Sequence, residues 1–174
     1  MPGLSDLYTK LLFARKIQFV DGQLILVGMP FVVTPVTFFS YLLKDAYDRK
    51  DLEHLYGIFK ASLFEVFSYE FQRRLGFNKS KLADWLKEFG YASGWGKIEF
   101  LNMDFEKKRA IVRVENNPVA LSLLRKVNQP ICYHMAAFLA GGASRAFDTE
   151  VDCTEVKCMA LGEKYCEFII KVKE

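Results

Sequence analysis

Residues 153–166 read CTEVKCMALGEKYC, and the role of those sulfurs decides how the rest of the chain is read. Three of the four cysteines fall in this stretch, and the fourth, Cys132, lies upstream. Apolar and polar residues alternate on both sides of Leu161-Gly162-Glu163-Lys164, which predicts two strands joined by a turn. A hairpin of that kind brings Cys158 and Cys166, which flank the turn, opposite each other. Glu155 stands three residues before Cys158, and Cys132 falls in the first turn of a helix predicted to begin after Pro130. Two ligands from the hairpin, one from the preceding strand and one from a helix start would make a closed tetrahedral site. Zinc accepts thiolate and carboxylate ligands together, and four protein ligands mark a structural ion. A helix N-terminus also favours the thiolate form of Cys132. Spacing alone leaves two other readings open, inert core thiols or a Cys158–Cys166 bridge, because C-x7-C is not a zinc knuckle.

Composition narrows the setting. A chain of 174 residues is long enough for one sizeable core. Sixteen phenylalanines within a chain that is 15% aromatic call for a deep core, a partner or a cavity. The net charge of +3 comes from dispersed residues, so no nucleic-acid footprint is expected. No apolar run is long enough for a membrane span, and the most apolar stretch, LILVGMPFVV at 24–33, is broken by Gly28 and Pro30. MPGLSDLYTK at the start lacks the pattern of a secretory signal. The expectation is a cytoplasmic, reducing setting, where cysteines serve thiolate or metal chemistry more often than a disulfide framework.

Along the chain, a short helix is expected over Leu4–Phe13, then a hairpin turning at Asp21-Gly22. Thr34-Pro35 should cap a helix running to about Lys50. A second helix is predicted from Asp51 to Gly76, with Leu52, Leu55, Tyr56, Phe59, Leu63, Val66 and Phe67 on one stripe. A third covers Ser80 to Phe89, ended by Gly90. Strands follow at Lys97–Asp104 and Arg109–Glu115, then a short helix from Asn117-Pro118, the Pro130 helix and the terminal hairpin. The pattern is α+β: one domain over 1–174, with an N-terminal helix–hairpin–helix region at 1–54.

The order C-(x22)-E-x-x-C-x7-C, with AAFLAGGASRAF (136–147) between the first cysteine and the glutamate, resembles the 4-vinyl-reductase domain family. VDCTEVKCMALGEKYCEFIIKV (151–172) is similar to its most diagnostic segment, and GYASGWGKIEF and VENNPVA are similar to its middle. The resemblance spans residues 55–172. It implies helices packed on a twisted antiparallel sheet, a fold like the small TRAPP subunits, with an apolar cavity and a homodimeric state. It also implies structural Zn2+ on Cys132, Glu155, Cys158 and Cys166, tethering the C-terminal hairpin. Cys153 departs from the pattern; it shares a strand face with Glu155 and is expected to be a core thiol or to line the cavity. Passing from Glu155 to Cys158 changes face and requires a bend or bulge. His134, two residues past Cys132 on a helix, should point away from the ion and be a satisfied histidine, and His54 should be exposed.

Some relatives in that family bind phenol-like effectors through a histidine and a tryptophan upstream of the first zinc cysteine. Here His54, Trp85 and Trp95 lie upstream, none at a matching spacing. The expected ligand is a hydrophobic or aromatic small molecule, held by Phe59, Phe64, Phe67, Phe71, Trp85, Trp95 and Cys153. No cysteine–histidine pair, paired carboxylates, phosphate loop or dinucleotide fingerprint is present, which favours binding over catalysis. Two other functions remain open: a tetrapyrrole vinyl-group reductase, as the family name implies, and a structural adaptor.

Overall fold

The computed structural model describes residues 17–26, 28–67 and 82–173. The expected Leu4–Phe13 helix, the far end of the second helix with Phe71 and Gly76, and the Ser80 start lie outside them.

Asp21 and Gly22 both take positive φ, 48° and 79°. That is the twist a two-residue hairpin needs to match its strands. It joins β1 (Ile17–Val20) to β2 (Gln23–Leu26), with Val20 opposite Gln23. β3 (Met29–Phe31) completes a three-stranded sheet, with Pro30 tolerated because this strand is an edge. α1 (Val36–Asp48) follows, with Pro35 rather than Thr34 in the cap position. Proline's fixed φ suits the entry to a helix, and Pro35 adopts −62°.

α2 (Leu52–Val66) carries the predicted stripe, yet Leu55, Tyr56, Phe59 and Leu63 are only half-buried. α3 (Leu82–Ala92) departs from expectation by running through Gly90 instead of stopping there. A Cβ at position 90 would strike the Ile98 side chain. Gly90 therefore permits close approach of helix and sheet rather than ending the helix.

β4 (Lys97–Asp104) and β5 (Arg109–Glu115) fall where the sequence put them. After the short α4 (Pro118–Ser122) come α5 (Tyr133–Phe147), β6 (Val151–Lys157) and β7 (Cys166–Val172). A four-stranded antiparallel sheet has the order β4-β5-β7-β6. Ala110, Val112 and Val114 alternate with Phe168 and Ile170 on one buried face. Each fully buried Val, Ile or Phe there contributes about 1.5–3 kcal/mol. α5 packs on β6 and β7 and, most extensively, on α2. Its Gly141 and Gly142 allow this: a Cβ at 141 would press on the α2 backbone at Leu63 and Phe64, and one at 142 would press on Leu86 of α3. The architecture is α+β, with helices on a twisted antiparallel sheet, as expected.

Candidate metal centre and apolar cavity

Cys132, at the N-cap of α5, faces the turn between β6 and β7. Its Sγ lies 3.9 Å from Cys158 Sγ and 3.8 Å from Cys166 Sγ, and all four cysteines are free thiols. Sulfurs joined in a disulfide sit about 2.05 Å apart, so no bridge forms here. Two thiolates on a tetrahedral ion with Zn–S bonds of ~2.3 Å lie about 3.8 Å apart, which is the observed spacing. Glu155 completes the group: one ligand atom from each of Cys132, Glu155, Cys158 and Cys166 falls within 4.8 Å of the others. The cluster can hold a metal ion.

Local structure explains the convergence. β6 pairs with β7 through Glu155 opposite Phe168, then the register shifts before Lys157 opposite Glu167. That irregularity is the predicted bend, and it turns Glu155 and Cys158 to the same side. Met159–Leu161 forms one 3-10 turn, closed at Gly162 with φ 97°, which returns the chain to Cys166.

The surroundings fit thiolates and a cation. The Asn117 Nδ2 donates to Cys132 Sγ at 3.5 Å and the Met159 amide to Cys166 Sγ at 3.4 Å. Asn117 also accepts from the Val119 and Ala120 amides, so one buried side chain caps α4 and orients a ligand. The Cys132 amide donates to Glu155 Oε2 at 2.8 Å. Glu155 Oε1 is buried with no hydrogen-bond partner, an arrangement that calls for a cation. Burial, followed by the charge of Cys158, pushes the Glu155 carboxyl up to about 8. Burial likewise raises the Cys132 thiol, while hydrogen bonds from Cys132 and then Cys166 hold Cys158 well below the usual thiol range. A group of acids crowded together like this is relieved by a divalent ion.

Cys153 stays out of the cluster. It is buried on β6, and its amide donates to the Tyr56 hydroxyl at 3.1 Å. His54 is exposed, as expected.

Beside the metal centre, α1, α2, α3, α5 and the three-stranded sheet enclose a cavity of about 610 Å³. Phe59, Phe67, Trp85 and Trp95 line it, as the sequence proposed. Phe64 and Cys153 do not: the Phe64 ring lies under the Arg145 guanidinium at 3.6 Å, on the outer side of α2. Sequence reasoning missed Phe39, Phe89 and Phe138, which also line the cavity. Trp85 stacks on Phe89 at 4.6 Å and Phe39 meets Trp95 edge-on at 4.8 Å, so the walls are continuous aromatic surface. No Lys, Arg, Asp or Glu and no cysteine appears among the described lining residues. This cavity explains the half-buried α2 stripe, because those residues face space rather than packed side chains.

His134 also lines this cavity. It avoids the metal, as its helical spacing requires, but it is not satisfied: it is 5% exposed and neither ring nitrogen has a hydrogen-bond partner. Burial pulls its pKa down to about 3, with Cys158 opposing. Phe39 and Trp95 flank the imidazole, with ring centroids at 5.9 and 5.3 Å.

Residues 110–172, from β5 through β7 and including all four cluster residues, match the vinyl-4-reductase domain. The chain carries a vinyl-4-reductase domain. Two uncharacterised proteins of Methanocaldococcus jannaschii are similar to it. MJ1642 is 28% identical over 123 residues, 70% of this chain and 71% of that protein. MJ0745 is 32% identical over 111 residues, 64% of this chain and 56% of that protein. Among solved structures, the phenol-responsive sensory domain of the transcription activator PoxR, crystallised with phenol, superposes with TM-score 0.72 at 16% identity. That alignment covers 96% of this chain and 90% of that one. A vinyl-4-reductase family protein from M. jannaschii gives TM-score 0.55 at 19% identity, covering 83% and 85%. A trafficking protein particle complex subunit 3 from Naegleria fowleri, covalently bound to palmitic acid, gives 0.51 at 14%, covering 80% and 93%. These likenesses establish the fold of the vinyl-4-reductase domain here, including its kinship in shape with a TRAPP subunit.

Proposed function

We propose that this chain is a sensing or binding domain for a hydrophobic or aromatic small molecule, acting as a homodimer in the cytoplasm. The observation that carries the reading is the aromatic-walled cavity of about 610 Å³ with no charged described lining residue. Pockets for drug-sized ligands span about 300–1,000 Å³ and are mostly apolar with few polar groups. The likeness in fold to a phenol-responsive sensory domain supports it. Exposed Phe38, Tyr41, Val32 and Val33 supply apolar surface for a second copy. No helix among the described residues is long and apolar enough to cross a membrane.

We further propose that Cys132, Glu155, Cys158 and Cys166 hold zinc. With four protein ligands and no open position, a zinc ion there supplies a crosslink rather than a catalytic centre. The residues tie the start of α5 to the β6–β7 turn and so fix one end of the cavity wall. Elemental analysis with native mass spectrometry tests this reading. The expected result is one zinc per chain, a mass of two chains, and uptake of an uncharged aromatic molecule. A zinc-supplied preparation that retains no ion, or that takes up no apolar molecule at all, refutes the corresponding half.

A further inference from the structure

We infer that His134 is the hydrogen-bonding anchor of the cavity and that the ligand is a hydroxylated aromatic larger than one ring. This rests on the small-molecule reading above. The anchor stands on α5 itself, two residues beyond Cys132, within an otherwise aromatic and aliphatic wall.

Three observations carry it. First, His134 is 5% exposed and lines the cavity with both ring nitrogens unpartnered. A buried polar group without a partner costs stability, and folds that keep one use it for something else. An imidazole has one nitrogen that donates and one that accepts, so it matches a hydroxyl, which does both. Second, no charged side chain is among the described lining residues, so a carboxylate or ammonium on the ligand would be buried without compensation. Third, a cavity of about 610 Å³ walled by Phe39, Phe59, Phe67, Phe89, Trp85 and Trp95 suits fused or substituted rings stacked on several faces. Ser62, Ser93 and Thr34 also line the cavity, but each carries a small freely rotating hydroxyl, whereas the His134 ring is held between Phe39 and Trp95.

The test is isothermal titration calorimetry of zinc-supplied full-length protein with 1-naphthol, naphthalene and 1-naphthoate. The wild-type chain should bind 1-naphthol about tenfold more tightly than naphthalene, the worth of one hydrogen bond to a buried unpaired group. It should bind 1-naphthoate at least about tenfold more weakly than 1-naphthol, because the carboxylate finds no counter-charge. His134→Phe should erase the preference for 1-naphthol over naphthalene while leaving naphthalene binding within about twofold, and His134→Gln should retain part of it. His134→Phe should also melt no lower than wild type, since it removes an unpartnered polar group. If His134→Phe does not fold, His134→Leu is read by the same criterion against His134→Gln. A preference for 1-naphthol that survives in a folded His134→Phe or His134→Leu chain overturns the anchor. Equal wild-type affinity for 1-naphthol and naphthalene overturns it too, while leaving the cavity reading intact. Failure of all three probes to bind takes down the cavity reading and the anchor with it.

Discussion

Gly141→Ala and Gly57→Ala form a matched pair whose opposite signs follow from contact geometry. Both glycines lie inside helices, so each substitution gains about 0.5–1 kcal/mol from backbone preference alone. Gly57 is exposed on α2, and a Cβ there meets nothing within 4 Å. A Cβ at Gly141 would sit 3.1 Å from Leu63 Cβ and 3.2 Å from both the Leu63 carbonyl carbon and the Phe64 nitrogen. Those atoms belong to the α2 backbone and cannot rotate aside, so the helix must shift bodily. Overpacking of this kind costs about 1–3 kcal/mol. Gly57→Ala should therefore stabilise by about 0.5–1 kcal/mol and Gly141→Ala should destabilise by about 0.5–2 kcal/mol. At about 2–4 °C per kcal/mol for a chain of this size, the two melting temperatures should differ by roughly 5 °C. Thermal denaturation of zinc-supplied protein followed by circular dichroism measures this. Because Phe59, Leu63 and Val66 of α2 form part of the cavity wall, Gly141→Ala should also weaken ligand uptake while Gly57→Ala leaves it unchanged. A Gly141→Ala chain melting at or above Gly57→Ala would show that α2 and α5 are not in the close contact described.

Three further outcomes are expected. Cys158→Ser or Cys166→Ser should lose bound metal and melt well below wild type, since structural zinc contributes on the order of 10 kcal/mol of apparent binding free energy. Cys153→Ala, outside the cluster, should keep its metal; elemental analysis distinguishes the two cases, and loss of metal in Cys153→Ala would refute the assignment. Glu155→Gln keeps an acceptor for the Cys132 amide but replaces the carboxylate with a neutral amide, so metal affinity in a competition titration with a chromophoric chelator should fall at least tenfold, an estimate of about 1.4 kcal/mol. Asn117→Ala removes the α4 cap and the donor to Cys132, and should cost about 1–2 kcal/mol by chemical denaturation; a change within error would mean that neither contact matters to the fold.

Local chemistry was readable wherever a short-range rule decides the structure. The Asp21-Gly22 turn, both bounds of β4 and β5, and the irregularity between Glu155 and Cys158 follow from turn propensity and strand alternation. The convergence of Cys132 with the terminal turn was legible only as a pattern, because 22 residues separate it from Glu155 and no local rule brings them together. Periodicity failed where tertiary contact chose the outcome. Gly90 looks like a stop signal, yet the approach of Ile98 keeps it inside α3. Phe64 and Phe67 look alike on a helical stripe, but Arg145 draws one outward while Trp85 and Phe138 receive the other at 5.7 and 5.5 Å. Spacing placed His134 away from the metal correctly. What it faces instead depends on Phe39 and Trp95, which come from distant parts of the chain.

The cavity is bounded by unlike materials. On one side stands α5, wedged by its paired glycines and pinned at its N-cap, where almost any exchange disturbs the centre of the molecule. On the other, Ile17, Leu24 and Phe31 belong to a small sheet that shares no strand pairing with the four-stranded one. Altering those three positions should retune which molecule is accepted at little expense to folding. Chains of this shape would then diversify their chemistry along a pliant rim while the rigid back wall, and the ion site at its foot, stay constant.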